Sequence, residues 1–125
     1  MAVVVNDLNS YAGITEYSWE GIVSQTDAMA VSIEAVHGHI QILQVGLHLD
    51  TTGAQADIFS ATINHANGTS LDIEFFSQDM NTLDDVLQRW SNDAGIYVPK
   101  GSSVDFAYSN ADDSGWGLSV LIRSE

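Results

Sequence analysis

The stretch IYVPKGSSVDFAYSNADDSGWGLSVLIR, residues 96–123, decides the fold. Apolar side chains alternate at Val104, Phe106 and Tyr108, and again at Trp116, Leu118, Val120 and Ile122, the period of two that places alternate residues on one buried face of a strand. Residues 110–115 between the two runs are turn formers, and Pro99, Lys100 and Gly101 suit a tight turn into the first run. If Tyr108 lies opposite Trp116, then Phe106 faces Leu118 and Val104 faces Val120, so one register buries every apolar pair. The stretch therefore reads as a C-terminal β-hairpin.

Working back towards the N-terminus, the same period recurs. Residues 17–24 alternate as a strand, and so do residues 29–36, with Val31, Ile33 and Ala35 on one side. In residues 40–49 the phase shifts: Ile40 and Ile42 have one parity and Leu43, Val45, Leu47 and Leu49 the other, which predicts a bulge near Ile42 and Leu43. Around Asn67-Gly68 a two-residue turn would mix faces, whereas a three-residue loop, Ala66-Asn67-Gly68 with Gly68 left-handed, opposes Ile63 to Leu71, Ala61 to Ile73 and Phe59 to Phe75. The pattern then changes. Thr82 and Asp85 resemble a capping box, and Leu83, Val86, Leu87 and Trp90 stand at helical spacing, so one short helix is expected over residues 82–90.

Eight or nine short strands with one helix predict an all-β, jelly-roll-like antiparallel sandwich formed by residues 1–125 as a single domain. Residues 1–10 include the β-branched run Ala2, Val3, Val4, Val5, expected as a terminal strand or an extended N-terminal arm that reaches a neighbouring subunit. No basic, apolar leader stands at the N-terminus, which leads to the expectation of a chain made in the cytoplasm.

Charge restricts the partners. Seventeen acidic residues, twelve of them Asp, against Arg89, Lys100 and Arg123 leave a net charge of −14, which repels nucleic acid and anionic membranes. Such a surface serves solubility in general or a halophilic, saline setting in particular; composition permits both. With no cysteine, disulfides, thiolate metal sites and cysteine nucleophiles are excluded.

Chemical motifs are sparse. His37-Gly38-His39 has the spacing of a metal-ligand pair but is accounted for by a turn, and the Glu that a cupin site would add does not follow. No nucleophile elbow, phosphate-binding glycine loop or EF-hand pattern occurs. Paired carboxylates could act as a glycosidase couple, yet so many acids make such pairs by coincidence. The loop at 109–113 offers Asn110, Asp112 and Asp113 as oxygen ligands for Ca²⁺, with a solvated turn as the competing account. Asn67-Gly68-Thr69 matches a glycosylation acceptor that turn formation also explains. Tyr11, Tyr17, Trp19, Trp90, Tyr97 and Trp116 include enough aromatics for a sugar platform, or for a core.

The run YVPKGSSVDFAYSNADDSGWGLSVLIRSE, with the short apolar N-terminus, resembles the small jelly-roll structural proteins of tailed viruses, such as capsid decoration, turret and fibre-head modules. That resemblance implies a non-enzymatic virion protein that forms a homotrimer or homopentamer and docks on the major capsid protein or another virion protein, with no cofactor. A carbohydrate-binding module or receptor-binding head is the alternative.

Overall fold

In the computed structural model, residues 2–5, 16–23, 27–36, 38–91 and 94–124 are described, with 2–5, 16–23 and 124 given by backbone alone. The strands are β1 (Ala2–Val5), β2 (Glu16–Val23), β3 (Met29–Glu34), β4 (Ile40–Leu49), β5 (Ile58–Asn64), β6 (Ile73–Asp79), β7 (Asp85–Arg89), β8 (Ile96–Val98), β9 (Ser103–Tyr108) and β10 (Trp116–Ser124). One sheet runs β1-β3-β9-β5-β6; the other runs β2-β10-β4-β7, with β8 also on β4. Apart from the parallel pair β1–β3, every strand pair is antiparallel.

This order is that of a jelly roll. The antiparallel pairs nest as β5–β6, β4–β7, β3–β9 and β2–β10, so the chain is one long ribbon with β5–β6 at its tip, wrapped into two facing sheets. The inward residues of both sheets meet in a core of Val31, Ile33, Val45, Leu47, Phe59, Phe106, Trp116, Leu118, Val120, Ile122 and their neighbours. Phe59 stacks on Phe106 at a centroid distance of 6.4 Å and meets Phe76 edge-on at 6.0 Å. At the rim, Phe75 on β6 meets Trp90 at 5.7 Å and covers the seam between the sheets.

The jelly-roll wrap corrects the expected C-terminal hairpin. β9 pairs with β3 and β5 while β10 pairs with β2 and β4, so the two runs lie in opposite sheets. The inward residues are those the alternation identified, but Phe106 and Leu118 enter the core from opposite sheets instead of lying side by side. Alternation reports which face of a strand is buried; it does not report which strand lies alongside.

The expected helix at 82–90 is likewise a strand. Thr82 has φ 68, the wrong backbone for an extended N-cap residue. β7 pairs with β4 from Gln44 opposite Arg89 to His48 opposite Asp85. Val86, Gln88 and Trp90 are half-buried and Leu87 is 61% exposed, a period of two. A helix here would leave that edge of β4 with unpaired N–H and C=O groups, and the strand satisfies them.

The tip of the ribbon also differs in register. Ile63 opposes Ile73, Thr62 opposes Glu74 and Ala61 opposes Phe76, with the irregularity leaving Phe75 extra. The connection is longer than three residues and contains a 3-10 turn, Thr69–Leu71. Asp72 draws the loop closed by accepting from His65 N at 2.8 Å, while Leu71 and Ile73, assigned inward by their apolar character, are 48% and 58% exposed. Gly68 has the expected positive φ, 130, but with ψ 159 it is extended and not in the left-handed helical region. The bulge expected on β4 is present: the β4–β10 register shifts so that Leu121 opposes Gln44 and Ile122 opposes Ile42, leaving Leu43 without a partner on β10, and both Ile42 and Leu43 are buried.

Candidate functional site

One end of the sandwich gathers the polar loops, beginning with the crossover from β9 to β10. Asn110 (φ 58) and Asp113 (φ 52) take left-handed conformations that Asn and Asp tolerate. Asn110 is 3% exposed: its Nδ2 donates to Asp27 O and Ser114 O, both at 2.9 Å, and its Oδ1 accepts from Ser114 N at 2.9 Å. Ser114, 2% exposed, accepts from Thr51 N at 2.9 Å through its hydroxyl. This crossover is therefore an internally bonded arch, not the solvated turn its composition suggested. It has to be: a buried loop must satisfy its own backbone groups.

Carboxylates tie the arch to the neighbouring loops. Asp112 accepts from Ala54 N and from Gln55 Nε2, both at 2.9 Å, and the Ala54 N–H above all holds its carboxyl below the ordinary value. Asp57, 6% exposed, accepts from the Ser109 hydroxyl and, at 2.9 Å, from Ala111 N. Asp79 accepts from Asn81 N at 3.0 Å and Asp57 N at 3.4 Å. Beside them the Tyr108 hydroxyl is buried without a hydrogen-bond partner among the described residues; burial first, then the charges of Asp57, Asp112 and Asp79, push its pKa up to about 12.

Of the three candidate oxygen ligands, Asn110 bonds within the arch and to Asp27 O, Asp112 accepts from the 54–55 loop, and Asp113 is exposed, its N–H donating to Asn110 O at 3.1 Å. Among the described residues, no three of His, Asp or Glu stand where they could hold a metal ion. His37 lies outside the described residues; His39 meets the Tyr97 ring at 4.9 Å. Ala2, Val3, Val4 and Val5 stand in register with Ala30, Val31, Ser32 and Ile33, so β1 forms an edge of its own chain's sheet. No helix among the described residues is long and apolar enough to cross a membrane.

Both outer faces of the sandwich carry acidic residues, and Arg appears on one of them. On the β3-β9-β5-β6 face, Asp105 accepts from Ser32 Oγ at 2.9 Å, Ser103 Oγ at 3.1 Å and Asn64 Nδ2 at 3.4 Å. Glu34 and Glu74 flank it on β3 and β6, and no Lys or Arg lies on these strands. The opposite face carries Arg89 on β7 and Arg123 on β10, two of the chain's three Lys and Arg residues, with Glu16 of β2 in register opposite Arg123 and Glu20 opposite Ser119. Arg89 opposes Gln44, which opposes Leu121; in the next row Tyr97 opposes Gln41, which opposes Arg123. Tyr97 is 54% exposed. At the far end of this face His48 is clasped by Asp85 (Nδ1 to Oδ1, 2.6 Å) and Asp50 (Nε2 to Oδ1, 3.4 Å), and the Asp85 contact raises its pKa above 6.5.

The juxtaposition of Arg89, Tyr97 and Arg123 escaped the sequence reading, because these residues come from β7, β8 and β10 and are brought to one face only by their pairing with β4.

No family model matches the sequence, and no curated protein matches it. Among solved structures, the chain is similar to one in the acidic stable capsid structure of Helicobacter pylori bacteriophage KHP30, with TM-score 0.50 and 13% identity over 88% of each chain. It is also similar to PliG of Salmonella Typhimurium, a periplasmic inhibitor of g-type lysozyme, with TM-score 0.46 and 12% identity over 98% of each chain. A third is the pre-peptidase C-terminal domain of a Bacillus anthracis collagenase, with TM-score 0.48 and 9% identity over 97% of this chain and 94% of that one. The likeness to the chain of the capsid structure is one of fold alone.

Proposed function

We propose that this chain is a non-enzymatic structural subunit of a virion, a capsid decoration or turret protein that self-associates and docks on the particle. The observation that carries the reading is the fold likeness to a chain of a bacteriophage capsid structure over 88% of both chains. The site geometry agrees with it: the buried and half-buried acids bind neighbouring N–H and O–H groups, which is scaffold work. The carbohydrate-binding alternative needs an exposed aromatic platform. Trp116 is 2% exposed and Trp90 packs half-buried against Phe75, so neither is free to stack on a sugar; Trp19 falls on β2, known by backbone alone.

The test is direct. Purified particles from a producing culture are analysed by quantitative mass spectrometry and labelled with antibody to this chain, while the recombinant chain is screened on a glycan array. Fixed stoichiometry in intact particles and a silent array are expected. A chain missing from particles that binds a glycan in a Tyr97-dependent way would replace this reading with the carbohydrate-binding one.

A further inference from the structure

We infer that Asn67-Gly68, at the apex of the β5–β6 connection, is a self-modifying site at which the folded chain converts Asn67 to aspartate and isoaspartate without an enzyme. The chain has no other Asn-Gly pair. In the first step the Gly68 nitrogen attacks Asn67 Cγ: the N–Cγ bond forms, the Cγ–Nδ2 bond breaks, and Nδ2 leaves as ammonia with the proton that Gly68 gave up. The cyclic imide then takes up one water. Opening between Cγ and the Gly68 nitrogen leaves an aspartate in the ordinary chain, whereas opening at the main-chain carbonyl carbon of residue 67 leaves isoaspartate, with the chain routed through the side chain. Either product adds one negative charge to the −14.

Three features of the loop allow this in the native state. Residues 66–70 are all exposed, so water reaches the imide and ammonia escapes. The Asn67 side-chain amide makes no hydrogen bond among the described residues, which leaves it free to turn towards its own main chain. Attack at Gly68 is uncrowded, since a Cβ built there would meet no atom within 4 Å. Its φ of 130 is open to glycine together with most of the rest of backbone space, so the 67–68 peptide can rotate to bring its nitrogen to Cγ.

One bond opposes the reaction. Gly68 N donates to His65 O at 3.2 Å and must be released before it attacks. A single exposed bond of this kind contributes little, so the open form is on the order of a tenth of the population. The flanks stay closed. Asp72 accepts from His65 N at 2.8 Å, and Ser102, 2% exposed, accepts through its hydroxyl from Ala66 N at 2.9 Å, which pins the chain on the β5 side. On the β6 side the 3-10 turn Thr69–Leu71 is held by Leu71 N to Gly68 O and Asp72 N to Thr69 O, both at 3.1 Å. Asn67-Gly68 links two anchored arms, and its conversion needs local opening only.

The test compares the folded chain with a synthetic peptide of residues 64–70 in the same neutral buffer over several weeks. Isoelectric focusing follows the acidic species, and fragmentation mass spectrometry separates aspartate from isoaspartate. Both products should appear at residue 67 in the folded chain, no more than about tenfold more slowly than in the peptide. Asn67→Gln, shown by circular dichroism to fold, should not form the acidic species. Greater slowing would overturn the inference, because conversion that waits for the whole domain to unfold is slowed by about a thousandfold or more. Acidic species that persist in Asn67→Gln, or products that map elsewhere and not to residue 67, would overturn it as well.

Discussion

Asn110 makes two side-chain hydrogen bonds with Ser114 inside the arch and a third to Asp27 O outside it, and holds a φ that alanine adopts only with strain. Asn110→Ala strands two N–H or C=O partners in a buried loop, so a loss of about 2–4 kcal/mol in urea unfolding is expected. Tyr108 next door behaves in the opposite way. Its hydroxyl is buried without a partner among the described residues, so Tyr108→Phe removes a desolvated polar group at nearly constant shape and should stabilise by about 1–2 kcal/mol in the same assay. His48 adds a pH dependence. Its folded pKa is raised, so the folded state binds the proton more tightly; its stabilisation is fully present below the unfolded value of about 6.5 and is lost as pH rises through the folded value. The melting-temperature difference between wild type and His48→Gln should be positive at about pH 6 and vanish by about pH 9. A difference that grows with pH would contradict the Asp85–His48–Asp50 clasp.

At the level of elements, the ribbon tip β5–β6 and the strand β7 show how pairing overrides local preference. Leu83, Val86, Leu87 and Trp90 suit a helix, but Val86 and Trp90 share the parity of a strand, and β4 needs a partner along Gln44–His48. Supplying that partner satisfies a row of backbone groups at once, and this outweighs propensities of at most about 1 kcal/mol per residue. At the tip, Gly68 has a φ of 130 with nothing within 4 Å of an added Cβ, so the effect of substitution there is conformational and not steric. Gly68→Val should destabilise by at least ~1 kcal/mol in chemical denaturation. Gly68→Ala should cost less, and equal stability of all three chains would contradict the positive φ. Gly53 is constrained differently: a Cβ there would lie 2.1 Å from Met80 O, so the loops carrying Asp50 and Met80 approach each other only because this residue has no side chain.

For the whole molecule, charge is the dominant global term. Fourteen net negative charges on 125 residues repel one another, so the melting temperature should rise between about 0.01 M and 1 M NaCl, where the Debye length falls from roughly 30 Å to 3 Å. A flat or falling curve would remove the case for a saline setting. Alternation alone identified the inward residues of β3, β4, β5, β9 and β10, but not those of β6 and β7; the bulge at Leu43 and the acidity of the surface were also legible in the sequence. Each is local or additive: alternation is a property of one strand, a phase slip of one segment, and net charge of a sum. What only the tertiary structure decided was adjacency. Whether Val104, Phe106 and Tyr108 lie beside Trp116, Leu118 and Val120 or across a core from them buries the same side chains, so no pattern within either run distinguishes the two. The choice is made when β3 and β5 flank β9 while β2 and β4 flank β10, so that each of the two runs has a paired strand on both sides. The same closure brings Arg89, Tyr97 and Arg123 onto one face, because residues distant along the chain become neighbours only through the strands that carry them.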